Sequence, residues 1–221
     1  MYIFINIYLN ININIYIYIY KMTHRLDFNT IIDEFNKNNI NYTIIRGFML
    51  LPKTPDSDLD IIIEKNDFDK TIKILETHCY KREGISRTFN TQNKSLIYHS
   101  FRTKGPFDKS ISNGCFQFDI YNYCFNYEGR IFNVANDLFH TYLFNNRILR
   151  NNYYIPSPGA EILLLFFRGF YDHNKNWQHK HNTRICELYN EESKVELYNI
   201  LEYFDTFIKK EIIKYIKTLR I

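Results

Sequence analysis

An α+β fold, with strands and helices intermixed up to residue 151 and a smaller helical domain from 152 to 221, is predicted by three observations. The aliphatic run Leu59 to Ile63 reads as a strand buried on both faces. The segments around it alternate between strand-like and helical spacing. Beyond Pro156 and Pro158 the pattern turns helical, with few strand signals. A chain of 221 residues is long enough to bury roughly 70% of its unfolded surface, so a substantial core is available.

The first segment stands apart. Ile or Leu fills every odd position from Ile3 to Ile19, with Tyr, Asn or Phe between them, a period-two pattern far longer than an ordinary strand. Residues 1–21 are expected to be a low-complexity stretch outside the fold, with Met22 as the working start. From there Leu26, Ile31, Ile32 and Phe35 space a first helix, which the Asn-rich stretch 36–41 ends. Tyr42 to Arg46 reads as a strand, followed by Gly47 and a connection holding Pro52 and Pro55. After the Leu59 to Ile63 strand, Asp67 is the expected N-cap of a helix through Phe68, Ile72 and Leu75. Further strands are expected at Ser95 to Phe101 and Cys115 to Tyr123, and a helix at Asp137 to Phe144. The apolar stretch Glu161 to Phe166 and the amphipathic stretches Glu192 to Phe207 and Lys209 to Leu219 complete the helical part.

Composition narrows the function classes. With 45% hydrophobic and 24% charged residues the chain is neither disordered nor collagen-like, and no apolar run is long enough to span a membrane. A net charge of +4 suits an anionic ligand such as a nucleotide, but the basic residues are too dispersed for a dedicated DNA-binding groove. Cys79, Cys115, Cys124 and Cys186 form no CxxC pair and are expected to be reduced thiols of a cytoplasmic protein.

Chemistry is carried by Arg46 and Gly47, followed after ten residues by Asp58, Leu59 and Asp60. Carboxylates at i and i+2 of a strand share a face, and like charges so close call for a cation between them. Oxygen donors alone point to Mg²⁺ or Mn²⁺. Asp119, between Phe118 and Ile120 in another apolar strand pattern, supplies a third carboxylate if the strands are neighbours. Blander readings stand beside each: Asp56, Asp58 and Asp60 fit a solvated turn before a strand, with Pro55 and Ser57, Asp119 fits a bond to a nearby amide, and Gly47 fits a strand end.

These residues resemble the nucleotidyltransferases of the DNA polymerase β-like superfamily, in which a strand ending in Gly precedes an Asp, apolar, Asp strand and a later strand adds a third acid. The order Arg46, Gly47, Leu51, Pro52 is similar to a small bacterial-type and viral subset, and the resemblance extends weakly from Asn41 to Arg184. It implies a mixed-sheet catalytic domain over 22–151, with Asp58, Asp60 and Asp119 as metal ligands and catalytic residues. The implied reaction moves a nucleoside monophosphate from a nucleoside triphosphate such as ATP to an acceptor: a small molecule, a protein or an RNA end. Asp119 is then also placed to take the acceptor's proton. The superfamily has Ser after the Gly, where this chain has Phe48. Phosphate contact would fall to Arg46, the amides near Gly47, Lys53 or Ser57. An inactive nucleotide-binding or partner-binding module of the same fold is the alternative.

A second cluster, Arg168, His173, Lys175, His179, Lys180, His181 and Arg184, lacks zinc-site spacing and reads as a polar loop or as a basic edge facing phosphates. Trp177 and Tyr171 are expected to pack between helices.

Overall fold

A computed structural model describes residues 28–49, 51, 59–78, 80–91, 94–103, 117–122, 125–128, 131–134, 137–172, 175 and 177–219. The 1–21 segment, Leu26 and the connection from Pro52 to Asp58 lie outside them. Helix α1 (Phe28–Lys37) leads into β1 (Tyr42–Arg46) and β2 (Leu59–Ile63), and a 3-10 turn then opens α2 (Phe68–Thr77). Strands β3 (Tyr80–Thr91), β4 (Lys94–Thr103) and β5 (Gln117–Tyr121) complete a mixed five-stranded sheet of order β1-β2-β5-β4-β3, in which only the β2–β5 pair is parallel. Hairpins β6 (Phe125–Glu128)–β7 (Ile131–Val134) and β8 (Ile148–Arg150)–β9 (Tyr153–Ile155) flank α3 (Asp137–Asn145). The rest is helical: α4 (Pro158–Phe167), a π-helical turn Arg168–Asp172, α5 (His179–Leu188), α6 (Glu191–Leu201) and α7 (Thr206–Thr218). The chain is α+β, and among the described residues no helix is long and apolar enough to cross a membrane.

Strand β2 shows why its sequence lacks a polar side. Leu59, Ile61 and Ile63 pack with Phe28, Ile32, Phe35, Ile72 and Leu75 of α1 and α2. Ile62 faces the other way, into a cluster built by α3 and the C-terminal helices around Phe139, Leu163, Phe166 and Ile212. All five β2 residues are buried, including Asp60. A carboxylate on a strand enclosed from both sides is the one residue of β2 that packing does not explain.

Several elements differ from the sequence expectations for identifiable reasons. Asp67 stands at the N-cap position of α2, but its side chain makes no capping bond. It is the last residue of the 3-10 turn, in a helical conformation, and its Oδ2 instead accepts from the Asn41 N–H at 2.8 Å. The helix expected to reach Phe207 stops at Leu201 because Asp205 starts the next one, accepting from the Ile208 N–H at 2.9 Å. Strand β3, the longest of the sheet, carries charges and Gly84 instead of alternating apolar residues, so no period-two signal marks it.

A charged joint ties α6 to the start of α4. Ser157 precedes α4 without capping it, and Glu196 of α6 does so from outside. Glu196 Oε2 accepts from the Gly159 N–H at 2.8 Å, while its Oε1 accepts from Tyr142 Oη at 2.8 Å and from Ser157 Oγ. A negative group at a helix N-terminus is doubly favourable, since it satisfies an orphan N–H and complements the dipole. Burial, with the neighbouring Glu196, pushes the Tyr142 hydroxyl well above its usual range, so it stays a donor. Replacing Glu196 with Ala is expected to lower stability by about 2 kcal/mol, read as a lower urea midpoint with an unchanged slope. A midpoint equal to that of the natural chain would remove this joint from the account.

Candidate active site

Asp60 and Asp119 are register partners on the parallel β2–β5 pair, so their side chains leave the same face of the sheet one strand apart. Both are buried, at 2% and 8% exposure. Two carboxylates in that position repel unless positive charge or protons lie close by. One cation is Arg46, whose Nε donates to Asp60 Oδ2 at 2.5 Å. Its position depends on a β-bulge: Ile44 pairs with Ile61, but the next partnership is Arg46 with Asp60, so Ile45 is an extra residue. In an unbulged ladder Ile45 would stand opposite the carboxylate. The strand then ends at Gly47, whose φ of 80° lies in the left-handed region that glycine adopts without strain.

Asp60 Oδ1 accepts from Tyr121 Oη at 2.8 Å. Tyr121 is two residues beyond Asp119 and so leaves the same face. Burial, then the charges of Asp60 and Asp119, push its hydroxyl far above the ordinary tyrosine value, so at neutral pH it donates to the carboxylate and cannot act as a base. The sequence reading did not include Tyr121, although its i+2 spacing from Asp119 was the available signal.

The site opens on a cleft of about 790 Å³ between the end of β1 and the C-terminal helices. Arg46, Gly47 and Asp60 line one side, and Glu161, Arg168, Lys180 and Arg184 line the other. Arg184 is bidentate to the buried Glu161, with Nε on Oε1 at 2.8 Å and Nη2 on Oε2 at 3.0 Å. Burial alone would lower the Arg184 pKa, but the bonds to Glu161 raise it, so this cation is held in place. Lys180 and His179 are exposed at the start of α5.

Phe48 is 2% exposed and packs in the first core cluster with Ile44 and Leu51, so the position after the glycine anchors the loop from beneath while bordering the cleft. Of the basic cluster, Arg168, His179, Lys180, His181 and Arg184 border the cleft, whereas Lys175 pairs with Glu211 at 3.4 Å and covers the Phe170 ring. His173 lies outside the described residues. Trp177 packs as expected, stacked on Tyr215 with ring centroids 3.8 Å apart. Cys186 is a free thiol, and the other three cysteines lie outside the described residues.

Asp58, Ser57 and Lys53 also lie outside them. Among the described residues no three His, Cys, Asp or Glu side chains are grouped as metal ligands. The donor chemistry of the remaining pair nevertheless fits a hard divalent cation: two neighbouring buried carboxylates, of which Asp60 lines the cleft. No family model, curated protein or solved structure matches the chain, and what the site does follows from its own residues.

Proposed function

We propose that the chain is a metal-dependent nucleotidyltransferase, moving a nucleoside monophosphate from a nucleoside triphosphate to an acceptor hydroxyl or phosphate. The observation that carries the reading is the in-register pair Asp60 and Asp119, buried on one face of a parallel strand pair, with Asp60 lining a cleft whose walls include Arg46, Arg168, Lys180 and Arg184. Asp60 and Asp119, joined by Asp58 as the resemblance implies, would hold Mg²⁺ or Mn²⁺. When bound, the metal supplies Lewis-acid stabilisation of charge on the phosphates. Arg46 and the amides around Gly47 would bind phosphate oxygens, with Ser57 as a further hydroxyl. Arg168 and Lys180 on the opposite wall would neutralise the rest of the ligand's charge. Asp119, less deeply buried than Asp60, would take the acceptor's proton. The helical part closes one side of the cleft, and the cytoplasm, where nucleoside triphosphates are abundant, is the fitting compartment.

An inactive nucleotide-binding module is the second reading, favoured by Phe48, which puts a buried ring where a phosphate-binding hydroxyl would serve. Thermal unfolding with ATP separates these readings from non-nucleotide roles. At a hundredfold excess over Kd, binding to the folded chain adds about 2.7 kcal/mol, roughly 5 to 10 °C for a chain of this size. That gain is expected with Mg²⁺ and is expected to vanish with EDTA. Pyrophosphate release in the presence of candidate acceptors then divides enzyme from binder, and a gain that survives EDTA would count against a metal-held nucleotide.

A further inference from the structure

We propose that Arg46 is the resting counter-ion of the carboxylate pair, displaced from Asp60 when a divalent cation arrives and then freed to pair with the phosphates of the nucleotide. The proposal rests on the metal-dependent reading above and concerns how that site is kept before it is loaded.

The two ends of the Arg46–Asp60 pair are unequally placed. The Asp60 side chain is 3% exposed and that of Arg46 31% exposed, with a 2.5 Å contact between Nε and Oδ2. A carboxylate so deeply enclosed is costly to leave without a cation, because little solvent reaches it. The guanidinium borders the open cleft and regains water or phosphate when it leaves. Asp60 Oδ1 is held by Tyr121, so Oδ2 is the oxygen where incoming and resident cations meet.

Charge decides the exchange. Asp60 and Asp119 carry two negative charges side by side, and Arg46 brings one positive charge to the pair. A divalent cation held by Asp60 and Asp119 would supply two positive charges in place of one, and Arg46, freed at the edge of the cleft, would be available to the phosphates of the nucleotide. The backbone on both sides of Arg46 departs from the regular ladder, through the bulge at Ile45 and the left-handed Gly47, so the side chain can swing without moving a paired strand. The arginine therefore acts in opposite directions: it competes with free metal and favours metal bound with nucleotide.

The test is titration with Mn²⁺, followed by its paramagnetic resonance, alone and with a non-hydrolysable ATP analogue. Arg46→Gln is expected to lower the Kd for Mn²⁺ alone about tenfold, the scale of one charge-assisted hydrogen bond, and to raise the Kd for the Mn²⁺–nucleotide complex by a similar factor. A general weakening of the fold would raise both. Mn²⁺ affinity unchanged or weaker in Arg46→Gln, with an unshifted urea midpoint, overturns the proposal. Should that variant not fold, Arg46→Lys carries the test: its poorer fit to Asp60 lowers the Mn²⁺ Kd roughly threefold, and no change is again fatal. Mn²⁺ bound by the natural chain, lost in Asp60→Asn and indifferent to Arg46 leaves the metal reading standing and removes only the counter-ion. Absence of Mn²⁺ binding to every protein removes both.

Discussion

Replacing Asp60 with Asn is expected to reduce nucleotide transfer about a thousandfold while leaving the chain folded, because the several kcal/mol of charge stabilisation that a carboxylate-held metal supplies is lost at 1.36 kcal/mol per decade. The substitution keeps the shape and keeps an oxygen for the Tyr121 hydroxyl, but it removes the negative charge. Arg46 loses its bond to Asp60, yet it is partly exposed at the cleft and recovers water, so the stability change is expected to stay near 1 kcal/mol. Activity and stability are thus expected to separate, and the Mg²⁺-dependent thermal gain with ATP is expected to disappear along with transfer. Asp119→Asn is expected to behave alike, since the register places the two carboxylates as a pair. A transfer rate within tenfold of the natural chain for either variant would show that these acids do not hold the catalytic metal.

Why this pair was visible in the sequence, and its surroundings less so, follows from the range of each signal. Asp60 stands out because four aliphatic residues surround it on a strand that faces two cores, and Asp119 because it interrupts Phe118 and Ile120 in the same way. Period-two patterns are local and survive in one dimension. That β2 and β5 are adjacent and parallel is a property of the sheet, which no local pattern carries. The bulge that sets Arg46 opposite Asp60 is one extra residue in an unremarkable Ile-Ile-Arg stretch. Glu196 is an ordinary surface-type residue in sequence, and only the approach of α6 to the start of α4 turns it into a cap. Asp67 shows the converse case, a strong local capping signal overridden because the neighbouring Asn41 N–H claims the carboxylate.

Gly169→Ala is expected to be the most damaging substitution outside the site, lowering stability by about 3 kcal/mol. The glycine is needed for space and not for backbone freedom. A Cβ there would lie 1.9 Å from Trp177 Cε3 and 2.2 Å from Cζ3. At Gly159 the added atom would meet the Glu196 side chain at 2.8 Å, so a substitution there acts through the Glu196 joint and not on a packed ring. The indole of Trp177 is such a ring: it is stacked on Tyr215 with centroids 3.8 Å apart and lies 5.4 Å from the Phe166 ring. The alanine therefore has to expel the indole, and both ring contacts go with it. Gln178, His179, Lys180 and His181, which follow the tryptophan directly, line the cleft, so the loss is transmitted to the wall facing Asp60. Because the chain has one tryptophan, its emission reports this event without ambiguity. A red shift in the folded variant, a lower urea midpoint and a smaller Mg²⁺-dependent gain with ATP are expected together. Emission and midpoint matching the natural chain would mean that Trp177 does not pack on Gly169, and a red shift without any loss of the ATP gain would detach α5 from the nucleotide site.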